Sequence, residues 1–213
     1  MPKTVSKELA DAHKKEIVDV CEELYRTMNF KDVTLKEIGA RTSFGRTSIY
    51  NYFQTKEEIF LALLVREYER WITDLEQVLD SHERLAPKGL AREISKTLER
   101  RLQLLKLMTM NHYAMEENSR IENMIEYKKV YGKSIDTVER LLVKFMPAMK
   151  RKDREGFIYS FFPFMYGIYP YAAVSARQQD AIAQAGATFT YHSVYEIAYP
   201  CIVKLLSPAS VTP

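Results

Sequence analysis

Nowhere in this chain do apolar and polar residues alternate over the length of a strand. From Ile17 to Leu206 the apolar positions recur every three or four residues instead, the spacing of one face of an α-helix. Glycine (7) and proline (8) are too few in 213 residues to supply the turns of a strand-rich protein. The chain is therefore expected to be all-α, with about nine helices. Its 46% hydrophobic content suffices for an ordinary core, and its length suits one domain, or a small domain joined to a larger one.

Residues 7–28 read as an amphipathic helix with Ile17, Cys21, Leu24 and Met28 on one face. Two capping boxes follow, Thr34-Leu35-Lys36-Glu37 and Thr55-Lys56-Glu57-Glu58. In each the threonine hydroxyl can accept from the third amide of the helix while the glutamate reaches back. Between them a short helix is expected to stop near Thr42-Ser43-Phe44-Gly45, and a second to run from Arg46 to Phe53. A long helix should then reach Asp80. Pro87 suits the first turn of the next, to about Leu107. Residues 111–118 read as a break or a short helix. Ser119-Arg120-Ile121-Glu122 is a third capping box, opening a helix that ends at Met146-Pro147. The last two helices are expected at 154–176 and 178–206.

The charge balance, 31 basic against 28 acidic residues, is too even to argue for nucleic acid by itself. Cys21 and Cys201 suggest no disulfide framework and suit a reducing cytoplasm. Charges at Lys3, Lys7, Glu8 and Asp11 argue against a secretory signal. Residues 156–176 carry no charge and are long enough to cross a bilayer. Pro163, Pro170 and centrally placed tyrosines favour a buried, kinked core helix, so no membrane partner is expected; a membrane-associated helical protein stays open as an alternative. Metal, phosphate-loop, dinucleotide and nucleophile motifs are all missing, and the four histidines are scattered. No metal, cofactor or catalytic residue is expected, and a soluble helical enzyme is the other alternative.

The informative segment is Thr34–Lys56. Two short helices joined by a turn of about four residues match the helix-turn-helix pattern, which also occurs in proteins that never touch DNA. The second helix carries Arg46, Thr47, Ser48, Tyr50, Asn51 and Tyr52, whose donors suit base edges and phosphates. Lys56 opposes the dipole of the helix it begins, which a phosphate contact would explain.

This segment resembles the TetR family of bacterial transcriptional repressors. Thr34, Ile38, Ile49, Tyr50, Tyr52, Phe53, Lys56 and Glu57 match that family's pattern in order and spacing, over about the first 60 residues. The usual Ala-Gly-Val of the turn is here Thr42-Ser43-Phe44, Gly45 stands where Ser or Thr caps, and Thr47 where Gly is common. The resemblance implies a helix-turn-helix DNA-binding domain at 1–55 and an effector-binding and dimerisation domain at 56–213. It implies phosphate contacts by Thr34, Tyr50 and Lys56, with Arg46, Thr47, Ser48, Asn51 and Tyr52 at the major groove or its rim. Arg46 is the expected direct base reader. Tyr50 has a second possible role beside Ile38, Ile49 and Phe53 as a core aromatic.

Most aromatic and methionine side chains beyond residue 57 are expected to pack a core. TetR-like proteins bind small ligands in such a bundle, and the candidate pocket residues are Tyr68, Trp71, Met108, Tyr113, Phe161, Met165, Tyr169 and His192. They suit an apolar or aromatic effector. The last two helices, nearly uncharged and with small residues from Ala181 to Ala187, are the expected homodimer interface. The expected function is that of a cytoplasmic, ligand-responsive regulator, a repressor, bound as a homodimer to a palindromic double-stranded operator.

Overall fold

The structure, a computed structural model, describes residues 7–207, with every side chain in that span except those of Arg46, Met110, Asn111 and His112. The described residues are all-helical: α1 (Lys7–Thr27), α2 (Leu35–Gly39), α3 (Arg46–Ile49), α4 (Lys56–Ser81), α5 (Pro87–Arg100), α6 (Leu102–Glu117), α7 (Ile121–Phe145), α8 (Arg151–Ala172), α9 (Ala176–Gln184) and α10 (Val194–Leu206). None of these helices is long and apolar enough to cross a membrane.

Several boundaries differ from the expected ones: α3 stops at Ile49 rather than Phe53, α8 spans Arg151–Ala172 rather than 154–176, and others shift for local reasons. The helix that opens at Pro87 stops at Arg100, because Arg101 leaves helical geometry at φ −112° and ψ 42°. Its guanidinium instead grips Asp74 of α4 with two bonds of 2.7 and 2.9 Å. α6 then runs through the segment expected to break. The expected helix over 178–206 is two helices. Gly186 adopts φ +63°, Ala187 N–H donates to Ile182 O (3.2 Å) and Gly186 N–H to Ala183 O (3.1 Å). This pair of bonds closes a helix on a left-handed residue, the conformation glycine adopts without steric cost. The capping box at Ser119 is not formed. α7 begins two residues later, and the Ser119 hydroxyl is buried without a hydrogen-bond partner.

Pro163 and Pro170 lie inside α8, which continues through both. A proline at 170 has no N–H for the carbonyl of Tyr166. The Thr109 hydroxyl lies 2.7 Å from that oxygen and 2.9 Å from Leu105 O, and its one hydrogen can serve the nearer oxygen in the amide's place.

The chain forms two compact units: the chain up to Glu67 with Met110–Tyr131, and Tyr68–Thr109 with the chain from Gly132 on. α4 contributes to both. In the first unit Ile17, Cys21, Leu24 and Tyr25 of α1 are buried along with Val33, Ile38, Ile49 and Phe60. Tyr25 meets Phe60 edge-on with ring centroids 5.0 Å apart. Burial pushes the Cys21 thiol well above its usual range, which keeps it protonated. In the second unit α10 packs on α5 and α8, and Trp71, Leu75, Leu98, Leu105, Phe161 and Ile202 are fully out of solvent.

Candidate nucleic-acid interface

Thr34 opens α2 with extended backbone (φ −122°, ψ 160°), and its hydroxyl accepts the Glu37 N–H at 3.2 Å. α2 has five residues and α3 four, so neither is stable as an isolated helix. What holds them is burial of one side: Ile38 and Ile49 have no exposed surface, and Phe53 has 5%. Past Ile49 the chain tightens, with Phe53 N–H on Ile49 O at 3.0 Å and Asn51 N–H on Ser48 O at 3.2 Å. Tyr50 does not join the buried set and is 47% exposed. One helical step of about 100° past buried Ile49 carries it off the core-facing side. Thr47 and Asn51 are exposed and Ser48 is half-buried. The Arg46 side chain lies outside the described ones.

The turn before α3 is fastened to α1. Thr42 Oγ1 donates to Phe44 O (2.6 Å). Ser43 donates twice to the Glu16 carboxylate, through its backbone N–H and through its hydroxyl at 2.8 Å. The Phe44 ring packs on His13 with centroids 4.4 Å apart. Tyr52, beyond α3, is tied to the same helix: its hydroxyl is 2.7 Å from His13 Nδ1. Glu16 and His13 carried no functional signal in sequence, because nothing in one dimension pairs them with residues 27 and 39 positions away.

The start of α4 is fastened as well. Lys56 Nζ donates to Phe30 O (2.9 Å) and lies 4.4 Å from the Phe30 ring centroid. Thr55 Oγ1 accepts the Glu58 N–H (3.2 Å), as the capping box predicts, and also donates to Asn118 O (2.9 Å). Glu58 is 1% exposed. Its carboxylate accepts from Gln54 N–H (2.8 Å), Arg120 N–H (3.0 Å), Arg120 Nε (2.7 Å) and Arg120 Nη2 (2.9 Å). Arg120 Nη2 also reaches Tyr52 O at 3.0 Å. Burial opposes the charge on Glu58, but the bonds from Arg120 and Gln54 outweigh it and hold the carboxyl below its ordinary range. The sequence signal at Glu58 was half of this arrangement, since the box predicts the threonine contact but not the arginine.

From Lys7 to Glu67 the chain has ten basic and eleven acidic residues, so any hold on DNA must come from local contacts rather than from a basic field.

Residues 17–63 match the family model described as bacterial regulatory proteins, tetR family. Residues 65–191 match that of a Tetracyclin repressor-like C-terminal domain. The chain belongs to the TetR family. It is thus a transcriptional regulator with a DNA-binding helix-turn-helix, not an enzyme. No curated protein gives a significant match to the chain. Among solved structures, a TetR/AcrR-family regulator from Thermobifida fusca superposes with a TM-score of 0.63 at 17% identity, over 93% of this chain and 98% of that one. The fatty acid degradation regulator FadR from Bacillus halodurans gives 0.59 at 11%, over 92% and 96%. FadR from Bacillus subtilis, solved with stearoyl-CoA, gives 0.58 at 13%, over 90% and 96%. At these identities the likeness is one of fold.

The second unit of this TetR-family chain gathers part of the expected effector set. The Trp71 ring lies 6.3 Å from Tyr68 and 6.4 Å from Phe161, and its N–H donates to Thr97 Oγ1 at 3.0 Å. Met108 and Met165 are buried in the same unit, and Tyr169 is half-buried, its hydroxyl pKa raised by burial. His192 is exposed, with Nδ1 3.8 Å from Glu196 Oε2. Tyr113 belongs to the first unit and is 81% exposed. A surface groove of about 590 Å³ between α4 and α7 is lined by Leu79, Asp80, Asp136, Glu139, Arg140, Val143 and Lys144, none of them in that set.

Proposed function

We propose that a homodimer of this regulator binds a palindromic operator through residues 34–56 and blocks transcription until a small effector releases it. The observation that carries the reading is the α2–α3 pair itself. It buries Ile38, Ile49 and Phe53 on one side and leaves Thr47, Tyr50 and Asn51 exposed on the other. In this reading residues 1–55 form the DNA-binding domain and 56–213 the effector-binding and dimerisation domain. Arg46 reads a base edge, with Thr47, Ser48, Asn51 and Tyr52 beside it, and Thr34, Tyr50 and Lys56 hold phosphates. A dimer would set two reading heads roughly 34–36 Å apart, one DNA turn.

The uncharged outer side of α8 supports the dimer. Gly156, Tyr159, Ser160, Pro163, Gly167 and Tyr171 are exposed there at spacings of three and four residues, and a surface so poor in charge suits burial against a second copy. The effector is an apolar or aromatic molecule held among Tyr68, Trp71, Met108, Phe161, Met165 and Tyr169, the members of the expected set that the second unit brings together. An acyl chain fits that description, in keeping with the stearoyl-CoA found in the Bacillus subtilis FadR structure. Release needs the effector to favour the conformation that binds DNA less well. α4 is the proposed lever, because one unbroken helix runs from Lys56 past Trp71. Operator binding puts the protein in the bacterial cytoplasm.

Two variants test the contact. Arg46→Ala should lose about 1–3 kcal/mol of discrimination at one base position. Lys56→Ala should weaken all sequences alike and lower the salt slope by about one. An unchanged salt slope would leave Lys56 with only its bond to Phe30. Wild-type behaviour in both variants would remove the assignment.

A further inference from the structure

We propose that α1 is the template on which the recognition helix is set, with His13 and Glu16 as positioning residues, and that His13 makes DNA binding proton-sensitive. The inference rests on the DNA contact proposed for residues 34–56.

α3 has four residues and no side-chain cap at Gly45, so its direction must be imposed from outside. Both of its flanks are tied to α1, a helix of 21 residues. On the leading side Ser43 gives two hydrogen bonds to Glu16, and Phe44 packs on the His13 ring. On the trailing side the Tyr52 hydroxyl bonds His13 Nδ1 at 2.7 Å. His13 and Glu16 are three residues apart and share one side of α1. A shift at either contact would re-aim Thr47, Ser48 and Asn51 together. Ser43 and Phe44, two of the turn residues that depart from the common family pattern, make these contacts.

The bond to Tyr52 has two senses. In the neutral tautomer with its proton on Nε2, Nδ1 is bare, the tyrosine O–H donates to it and that hydrogen is occupied. Protonation of that ring reverses the bond: Nδ1–H donates to the tyrosine oxygen, and the hydroxyl hydrogen is freed for an acceptor at the groove rim proposed for Tyr52. The imidazolium adds one positive charge beside the backbone contact. Both changes favour DNA, so binding is expected to tighten as pH falls. The turn 42–44 brings no charged group to the ring. Glu16 on α1 is occupied by Ser43, and Arg120, beyond Tyr52, is occupied by Glu58 and Tyr52 O. Histidine is the side chain that changes charge between pH 5 and 8.

The test uses the full chain and a duplex enriched from random sequence by the wild-type protein. Affinity is read by fluorescence anisotropy at fixed salt from pH 8 to pH 6. Wild type should bind about three- to tenfold tighter at pH 6, the scale of one charge-assisted contact. His13→Gln, which keeps a hydrogen-bonding group for Tyr52, and Tyr52→Phe should each flatten that profile to less than about twofold. Their melting temperatures should stay within a few degrees of wild type. Glu16→Ala should keep the pH slope but lose preference for the enriched duplex over random DNA. A wild-type slope in His13→Gln, or a flat wild-type profile with the duplex preference intact, would overturn the inference alone. No preference for any duplex would overturn the DNA-binding reading with it.

Discussion

Around α3 the structure is held by directional polar contacts: Ser43 on Glu16, Tyr52 on His13, Glu58 on Arg120. Around Trp71 it is held mainly by rings and methionines, with the Trp71 N–H bonded to the buried Thr97 hydroxyl. The two regions carry different risks. A polar clamp is specific in direction and sensitive to pH and to loss of one partner. An apolar core is indifferent to pH but intolerant of lost volume. A four-residue element proposed to read DNA needs the first kind of support, since it has too little surface to bury. A bundle proposed to hold a small apolar molecule needs the second.

The largest expected effect lies in the apolar region. Trp71 is fully buried, and Trp71→Ala should cost about 3–5 kcal/mol of unfolding free energy. Urea denaturation reads that loss. Operator affinity of the folded fraction should stay near wild type, with release by effector blunted. Equal loss of DNA binding would erase the distinction between the regions.

Next comes the Glu58 clamp. Arg120→Ala strands a buried carboxylate and should cost about 1–3 kcal/mol, less than a fully buried pair because Arg120 is 41% exposed. Glu58 is depressed from an ordinary value of 4.5. Its contribution is therefore complete above that value and is lost as pH falls through the lower folded-state value. Wild type should lose stability on acidification below about pH 4.5, and Arg120→Ala should lose less over the same range. Parallel acid profiles would show that the pair does not carry the pH dependence.

The smallest effect tests how α8 tolerates its proline. Thr109→Val removes the donor to Tyr166 O and should cost about 1 kcal/mol. Pro170→Ala restores a backbone N–H to that carbonyl, so the valine change should cost much less in that background. Additive costs in the double-mutant cycle would mean that the threonine does not substitute for the missing amide.

What could be read from sequence follows the same division. Residues whose role depends on neighbours three or four positions away were legible: the Thr34 and Thr55 hydroxyls as caps, Ile38, Ile49 and Phe53 as the buried side, Pro87 at a helix start. Gly186 lies within the run of small residues expected at the interface, but its left-handed φ marks a helix stop. The Arg101 break left no glycine or proline to read, because a side chain bound to Asp74 accompanies it. Ser119 looked like a cap, but Arg120 turns its backbone N–H to Glu58 and the helix starts later. The clamps at Glu16, His13 and Glu58 join residues 27 to 62 positions apart. No periodicity encodes such pairings.

The most direct test of the central claim is a hydroxyl-radical footprint of the purified protein on the duplex it enriches from random sequence. The expected result is a two-fold-symmetric site, with two protected half-sites about one helical turn apart, and loss of preference at one base pair per half-site in Arg46→Ala. Uniform protection along the duplex, or an enriched sequence that Arg46→Ala reads as well as wild type, would contradict it.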